Sequence, residues 1–423
     1  MITLKIAIRN IFRHRTRTII TLSAIAFGCI SLIFVGGFFE DTLWQMRESY
    51  IRAHTGHLQV FKTGFFEKGN AHPFDYLIDN PQEIISLTKD IPEIQFVTSR
   101  IEFSGLLSTG DNTISFIGQG IEPKNEPGYI FSEEKLNLMR ENTNIPSTLL
   151  ITKGDSLKET DAYDVVLGKG LAAGIEAKVG DGLILLANTV GGSINALDVN
   201  VKGIFLTSAK AFDDRFLRLN LATAQKLLQT NSVLSLMIRL NKTEDTIKVK
   251  DRLQELFKGK NMDLEIKTWV ELSDFYTKTE ALFNRQFLIL KLVIGIVVIL
   301  SIFNTMNMAV LERTGEIGTI MALGTKKSGV LNLFLYEGIA LGLIGGVIGI
   351  AAGSIITYLV SIIGIPMPPA PGATFNWLSQ PKVVPSVLIF TFLLSLFTSL
   401  ISSLFPAYKA SKLEIASALR FTA

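Results

Sequence analysis

Residues that could carry out chemistry are sparse in this 423-residue chain, and they do not form a catalytic set. The single cysteine, Cys29, excludes an intramolecular disulfide and a cysteine-rich metal site. His54 and His57 are three residues apart, and in a strand-like segment that spacing puts them on opposite faces, which argues against a metal site. The phosphate-binding pattern Gly-x-x-x-x-Gly-Lys-Ser/Thr does not occur. We therefore expect this chain to provide no catalytic residue, metal or cofactor, and we expect any ATP to be bound by another polypeptide.

Charged residues and glycines between residues 312 and 330 are spaced as in a short helix on a loop. The segment reads ERTGEIGTIMALGTKKSGV. Its apolar members at helical spacing are Ile317, Ile320, Met321 and Leu323. The flanking charges are Glu312, Arg313 and Glu316, and Gly324 is a typical helix end. An apolar face on a short loop needs a cover, so we expect a partner or the membrane surface to contact it.

The distribution of apolar residues predicts the elements that position these groups. Hydrophobic residues make up 48% of the chain and charged residues 19%, and the mean hydropathy is +0.36. Ordinary globular chains contain about 25% charged residues. Four apolar runs are long enough to cross a bilayer: residues 19–39, 286–310, 330–365 and 385–405. The first continues past the small residues that could mark a signal-peptide cleavage site, so we interpret it as a retained helix.

Basic residues around the four spans predict a topology. Five of them precede the first span: Lys5, Arg9, Arg13, Arg15 and Arg17. The loop at residues 311–329 and the tail at 406–423 are also basic, whereas the loop at 366–384 contains only Lys382. The positive-inside rule then places residues 1–18 and both termini in the cytoplasm, and residues 40–285 on the other side. The net charge of +3 is too small to indicate a nucleic-acid partner.

Residues 40–285 have the pattern of an α+β domain. A strand, a helix and a second strand are predicted between residues 57 and 99, and the same order recurs between residues 234 and 268. Between them, residues 120–228 have mostly strand-like patterns. The predicted fold class is an α-helical membrane protein with four transmembrane helices plus a large extracytoplasmic α+β domain, built from β-α-β units with a β-rich insertion.

A long helical pattern joins this domain to the second span. It starts at about residue 270 and continues to residue 310 without a proline. About 40 helical residues would extend about 60 Å, whereas the hydrocarbon core of a bilayer is about 30 Å thick. This helix either transmits motion as a stalk or simply packs against the domain, and the pattern fits both interpretations.

The spans themselves contain glycine repeats and two charged residues. Glycines recur every four residues in two offset sets: Gly338, Gly342 and Gly346, and Gly345, Gly349 and Gly353. Such ridges form either a moving or dimeric interface or static packing within the chain. Lys291 either extends its amine to the membrane surface or lines an ion path, and Glu337 is either interfacial or paired inside the bundle.

Several motifs together resemble the MacB/FtsX-like ABC transporter permease superfamily. They are Glu-Arg-x-x-Glu-Ile-Gly at residues 312–318, Ala-Leu-Gly at 322–324, Glu-Gly at 337–338 and Gly-Gly-x-x-Gly at 345–349. The tail PAYKASKLEIASALR is similar to the ending of the family, except that Ile415 replaces the usual proline. The family also has this order of segments, which is one span, a large domain and three further spans. Segments 168–187, 203–214 and 221–228 look most like the lipoprotein-releasing branch.

This resemblance implies partners and site residues. It implies a dimer of cytoplasmic ABC ATPase subunits that bind ATP and Mg, a second permease that is the same or a different chain, a periplasmic carrier protein and a lipid or lipoprotein substrate. It implies residence in a bacterial inner membrane and coupling to the ATPase by mechanotransmission. The implied coupling residues are Glu312, Arg313, Glu316, Ile317, Gly318, Ala322, Leu323 and Gly324.

Three functions remain as hypotheses. The first is ATP-driven extraction of a lipoprotein or another amphiphile from the membrane. The second is a non-transporting signalling permease that activates a periplasmic partner such as a cell-wall hydrolase. The third is an enzyme, for which the chain offers no convergent catalytic set. The size of the outer domain and its resemblance to the lipoprotein-releasing branch favour the first.

Overall fold

The structure is a computed structural model that describes residues 13, 15–69, 71–126, 128–130, 149–207, 209–368 and 376–420. Two units divide these residues. The membrane unit contains those within 1–43, 279–365 and 379–423, and the α/β unit contains those within 44–278 and 366–378.

The α-helices occur in both units. In chain order they are α1 (Arg15–Tyr50), α2 (Pro81–Thr88), α3 (Lys169–Gly174), α4 (Lys210–Asp213), α5 (Leu221–Leu228), α6 (Thr246–Gly259), α7 (Asp274–Glu312), α8 (Thr314–Ala322), α9 (Lys327–Ile363), α10 (Pro385–Ser411) and α11 (Ile415–Arg420). Four of them, α1, α7, α9 and α10, are long and apolar enough to cross a membrane. The four predicted spans are therefore confirmed, and α1 begins before residue 19 and continues beyond residue 39.

The strands that the structure describes form two sheets. In chain order they are β1 (Leu58–Lys62), β2 (Ile94–Ser108), β3 (Thr113–Ile121), β4 (Tyr129–Ile130), β5 (Leu150–Gly154), β6 (Asp164–Gly168), β7 (Gly182–Asn188), β8 (Ile194–Leu206), β9 (Phe216–Asn220), β10 (Ser235–Leu240), β11 (Leu264–Thr268), β12 (Ile365–Met367) and β13 (Trp377–Ser379). β12 and β13 pair with each other, and the other strands form the large sheet.

One end of the large sheet has a ferredoxin-like arrangement. The strand order is β11-β1-β10-β2, and every neighbouring pair is antiparallel. The units β1-α2-β2 and β10-α6-β11 therefore interleave, as in a split β-α-β fold. Buried apolar residues such as Val60, Ile238, Leu253 and Phe257 fill the core beneath the helices. The two predicted β-α-β units are confirmed, and they belong to a single sheet.

The other end of the sheet closes into a barrel. Its strands follow the order β2-β3-β9-β6-β8-β7, and β7 pairs again with β2. Phe103, Leu107, Phe116, Leu185 and Leu217 belong to the core of this region. Because β2 and β3 contribute to it, the β-rich region starts before residue 120, where the sequence placed the insertion. Closure removes the exposed edges that an open sheet of these strands would have.

The glycine ridges of α9 pack against helices of the same chain. A Cβ atom added to Gly338, Gly342 or Gly346 would lie within 2.6 Å of Ser403, Ser399 or Ser395 of α10. The second set faces α1: added Cβ atoms at Gly345, Gly349 and Gly353 would lie within 2.9 Å of Ile25, Cys29 and Ile33. Only glycine permits these approaches, and the intrachain alternative therefore describes the ridges.

Lys291 of α7 is held by aromatic rings. Its Nζ lies 4.2 Å from the ring centroids of Phe287 and Phe390. A cation over the face of an aromatic ring is attracted by the ring quadrupole, so these rings stabilise the ammonium group.

Candidate functional site

The loop between α7 and α9 contains the short helix α8, which the sequence predicted. α8 starts at Thr314, directly after Arg313, and ends at Ala322. Gly324 has a φ of +92°, in the left-handed region that favours glycine, and it directs the chain away from the helix. One turn therefore separates α8 from the start of α9 at Lys327.

The apolar face of α8 packs against the membrane unit itself. Ile317 and Met321 are buried in the core cluster that also contains Val310 and Phe334. The expectation that a partner or the membrane surface covers this face was wrong for these two residues, because α8 folds back onto the ends of the neighbouring helices. Leu323 differs, since it is 82% exposed. Packing therefore fixes α8 and leaves a large apolar side chain at its end.

Arg313 anchors the start of α8 through two carboxylates. Its Nη1 donates to Oε2 of Glu337 at 3.1 Å, and its Nε donates to Oε2 of Glu316 at 3.3 Å. Its guanidinium also lies 5.4 Å from the ring centroid of Phe334. Arg313 and Glu337 are both buried, so of the two interpretations of Glu337 the structure supports pairing inside the bundle. Such a pair is costly to break, because removing either partner leaves an uncompensated buried charge.

A second layer of ion pairs joins the start of α1 to this site. Nη1 of Arg13 lies 2.7 Å from Oε1 of Glu316, and Nη1 of Arg17 lies 2.8 Å from Oε2 of Glu312. Burial raises the pKa of Glu316, but hydrogen bonds from Arg13 and Arg313 outweigh it, and the net pKa lies below its ordinary value. Glu316 is therefore charged at neutral pH and is shared between two arginines.

The predicted coupling residues divide into an exposed set and a buried set. The exposed residues are Glu312, Glu316, Ala322, Leu323 and Gly324, and the buried ones are Arg313, Ile317 and Gly318. The exposed set can contact a partner, whereas the buried set positions the helix. Sequence reasoning missed the pairing of Arg13 and Arg17, which it interpreted only as topology signals. Their spacing of four residues, one helical turn, was the available signal.

A different cluster of buried charges lies within the α/β unit. Glu126 accepts hydrogen bonds from Arg100, and its Oε2 lies 3.7 Å from Nη1 of Arg218. Burial raises the pKa of Glu126, but the two arginines outweigh it and the net pKa is lowered. Both arginines also donate to backbone carbonyls. Arg100 donates to the carbonyl of His54, and Nη2 of Arg218 donates to the carbonyl of Ala53 at 2.9 Å. The cluster therefore ties β2 and β9 to the segment that follows α1.

His54 and His57 occupy separate environments near this cluster. The ring of His54 lies edge-on to Phe212, with centroids 4.0 Å apart. Burial, followed by Arg218 and Arg100, lowers its pKa to about 3. Nδ1 of His57 instead accepts from the N–H of Leu240 at 3.0 Å, and burial lowers its pKa to about 4.

Two family models together match most of this chain. The family model described as FtsX-like permease C-terminal matches residues 288–415, and the MacB-like periplasmic core domain matches residues 18–256. The lipoprotein-releasing system transmembrane protein LolC of Xylella fastidiosa is 23% identical over 357 residues, which cover 80% of this chain and 81% of the relative. An uncharacterised ABC transporter permease of Methanocaldococcus jannaschii is 28% identical over 281 residues, covering 64% of this chain and 65% of that one. The crystal structure of the periplasmic region of MacB from Actinobacillus actinomycetemcomitans aligns with 53% of this chain and 93% of its own length, at 17% identity and a TM-score of 0.36.

Proposed function

Because the chain belongs to the MacB/FtsX-like family of ABC transporter permeases, we propose that a separate ABC ATPase acts on it through α8 to drive extraction of a lipoprotein or another amphiphile from the inner membrane. The ATPase subunits bind ATP and Mg, and α8 lies on the cytoplasmic side together with both termini. Relatives named as lipoprotein-releasing proteins support this substrate class.

The arrangement of α8 is the observation that carries the proposal. A helix that receives force from a partner must be fixed to the spans and must also present a contact surface. α8 meets both requirements, because Ile317 and Met321 are packed in the core while Leu323 is 82% exposed. The buried pair of Arg313 with Glu337 joins the start of α8 to α9. Movement of α8 would therefore move α9 with it.

Helix α7 supports the proposal of mechanotransmission. It is continuous over 39 residues, from Asp274 to Glu312. At 1.5 Å per residue it extends about 60 Å, about twice the thickness of a hydrocarbon core. Its last residue immediately precedes Arg313 and α8, so a displacement at α8 acts directly on its end.

The second span also supports assembly with a second permease. In the most apolar 18-residue stretch of α7, only 17% of the residues are buried, whereas in that of α1 the share is 44%. Its exposed side chains recur at helical spacing and include Leu288, Leu292, Ile296 and Leu300. A second permease would cover this stripe, and a pair of permeases would match a dimer of ATPase subunits. A lipid-anchored substrate would then occupy an apolar cavity between the two permeases and leave toward a periplasmic carrier.

The cargo is tested by reconstituting the assembled complex in lipid nanodiscs and measuring its ATPase rate. We expect a triacylated lipoprotein to raise the rate, because cargo binding and ATP hydrolysis are coupled. The matched control is the same protein without its lipid anchor, which we expect to have no effect. An equal response to both forms, or no response to any amphiphile, would support the signalling hypothesis instead.

The docking surface is tested by co-purification of the ATPase with variants of α8. Leu323→Asp places a charge on the exposed apolar contact, Glu316→Lys reverses a charge shared by two arginines, and Gly318→Trp adds a large side chain at a buried position. We expect each to abolish ATPase association while membrane insertion persists. Ile247→Asp is the matched control, since Ile247 is also apolar and 61% exposed but lies on α6. Normal co-purification of all three variants would refute the assignment of α8.

A further inference from the structure

The edge of the ferredoxin-like sheet presents unused backbone groups at β11. Within the described residues, β11 pairs with β1 alone. At the two ends of this ladder, the N–H of Trp269 bonds to the carbonyl of His57 at 3.0 Å, and the N–H of Thr63 bonds to the carbonyl of Asp263 at 3.2 Å. Antiparallel ladders alternate, so Glu265 and Lys267 also face β1. The N–H and C=O groups of Leu264, Ile266 and Thr268 therefore point away from it.

Part of this edge is already occupied. The N–H of Thr268 donates to Glu271 at 2.7 Å, and its carbonyl accepts from the N–H of Leu272 at 3.1 Å. The N–H of Leu264 donates to the carbonyl of Met262 at 3.0 Å. The carbonyl of Leu264 and both backbone groups of Ile266 have no hydrogen-bond partner among the described residues. These three groups can pair with about three residues of an added strand.

A groove of about 310 Å³ lies beside this edge, between β11 and α6. Phe257, Met262, Leu264 and Ile266 provide its apolar lining. A strand added next to β11 would place alternate side chains on the side of the sheet that α6 covers. The groove can therefore accept an apolar side chain from such a strand.

The charges around the groove favour an acidic ligand. Lys250 pairs with Glu271 at 2.8 Å, and Lys267 lies 3.8 Å from Glu265. Lys258 also lines the groove and is exposed, and it forms no ion pair with the part of the chain that the structure describes. Among the described residues, the positive charge of Lys258 is thus uncompensated at the rim of the groove.

We propose that β11 and α6 bind an extended segment of a partner protein by strand addition, and that this segment carries an apolar and an acidic residue two positions apart, both on the face that α6 covers. Main-chain hydrogen bonds to Ile266 and Leu264 provide the affinity, and the groove and Lys258 select the side chains. This surface lies entirely within the α/β unit and does not depend on the function proposed for α8.

The test uses the full chain in lipid nanodiscs and a fluorescein-labelled peptide with the repeat valine-threonine-aspartate-threonine, which puts valine and aspartate on one face. Anisotropy is the measurement. We expect saturable binding and at least about tenfold slower hydrogen exchange at the amide of Ile266. A peptide with lysine in place of aspartate, and one with a central proline that lacks the N–H donor, should bind at least about tenfold more weakly. Equal binding of the proline peptide would overturn strand addition.

Two pairs of variants separate the groove from the general surface. Gln254→Trp fills the groove and should abolish binding, whereas Glu255→Trp, on an exposed position outside the groove, should not. Lys258→Glu should weaken binding by about threefold to tenfold, whereas Lys260→Glu should change it by less than about twofold. Indistinguishable affinities within each pair would overturn the proposal. If the chain dimerises and Gln254→Trp abolishes the dimer, the segment bound at β11 belongs to a second copy of the chain. That result would also overturn the proposal.

Discussion

Two clusters of buried charge among the described residues have opposite compositions. In the α/β unit one carboxylate, Glu126, lies between two arginines, whereas in the membrane unit one arginine, Arg313, lies between two carboxylates. All three groups of the first cluster are buried. In the second, Glu337 is buried but the side chain of Glu316 is 42% exposed and also contacts Arg13.

This difference in burial indicates different roles. The arginines around Glu126 are fixed by backbone carbonyls as well as by the carboxylate, so each guanidinium is held from two sides. Glu316 is accessible to solvent and is shared by two arginines, so it can exchange partners at low cost. We infer that the Glu126 cluster is a static clamp and that the outer layer at α8 is adjustable.

Breaking the clamp should give the largest effect. Glu126→Gln removes the charge that Arg100 and Arg218 share and leaves two buried cations, so we expect the free energy of unfolding to fall by about 3–5 kcal/mol. Chemical unfolding of the full chain, monitored in the α/β unit, measures this change. Glu255→Gln, at an exposed position on α6, should change it by less than about 0.5 kcal/mol. Similar small effects of both variants would show that the cluster is not a clamp.

The neighbouring histidine should make the clamp sensitive to pH. The pKa of His54 is lowered from 6.5 to about 3, so between these values the unfolded chain binds a proton that the folded chain excludes. Stability should therefore fall as the pH decreases through this range, and His54 alone should contribute a loss of about 2 kcal/mol between about pH 8 and about pH 5. His54→Phe keeps an aromatic ring against Phe212 and should reduce the pH dependence by this amount. An unchanged slope in the variant would contradict the burial of a neutral histidine.

The outer layer at α8 should have the smallest effect on stability. Arg13→Gln removes an exposed ion pair and Arg17→Gln a partly exposed one, so we expect each to lower the free energy of unfolding by less than about 1 kcal/mol. The double variant should nevertheless change the ATPase rate of the complex, because Glu312 and Glu316 lose partners that position them. Arg15→Gln is the control, since Arg15 lies on the same turn and is exposed. A large loss of stability would mean that this layer is a clamp as well.

The sequence predicts the local features of this fold better than the distant contacts. The four spans, α8 and the two β-α-β units follow from apolar periodicity and from Gly324. Closure of the barrel does not, because pairing of β7 with β2 joins segments far apart in the chain and has no local signal. The glycine ridges were recognisable, but which helix each one faces depends on the rotation of α9 against its neighbours.

The two charge clusters show the same limit. Glu312, Arg313 and Glu316 were identified because they are close in sequence and match a family motif. The Glu126 cluster was missed, since Arg100 and Arg218 are separated from each other by more than one hundred residues. For Arg218, a charged residue between two leucines of a short strand was the available signal. Arg100 follows Thr98 and Ser99 in a more polar part of its strand, which gives no such signal.

A cross-linking measurement tests the docking role of α8 most directly. Cys29 is the only cysteine and is buried, so Leu323→Cys introduces a single accessible thiol at the exposed end of α8. With a short bifunctional thiol–amine reagent, we predict a cross-link from this thiol to the ATPase subunit in native membranes, and none from Ile247→Cys on α6. We further predict that Glu337→Gln reduces the yield, because Arg313 then no longer holds α8 in place. Equal yields from Leu323→Cys and Ile247→Cys, or no cross-link from Leu323→Cys in an assembled complex, would contradict the account.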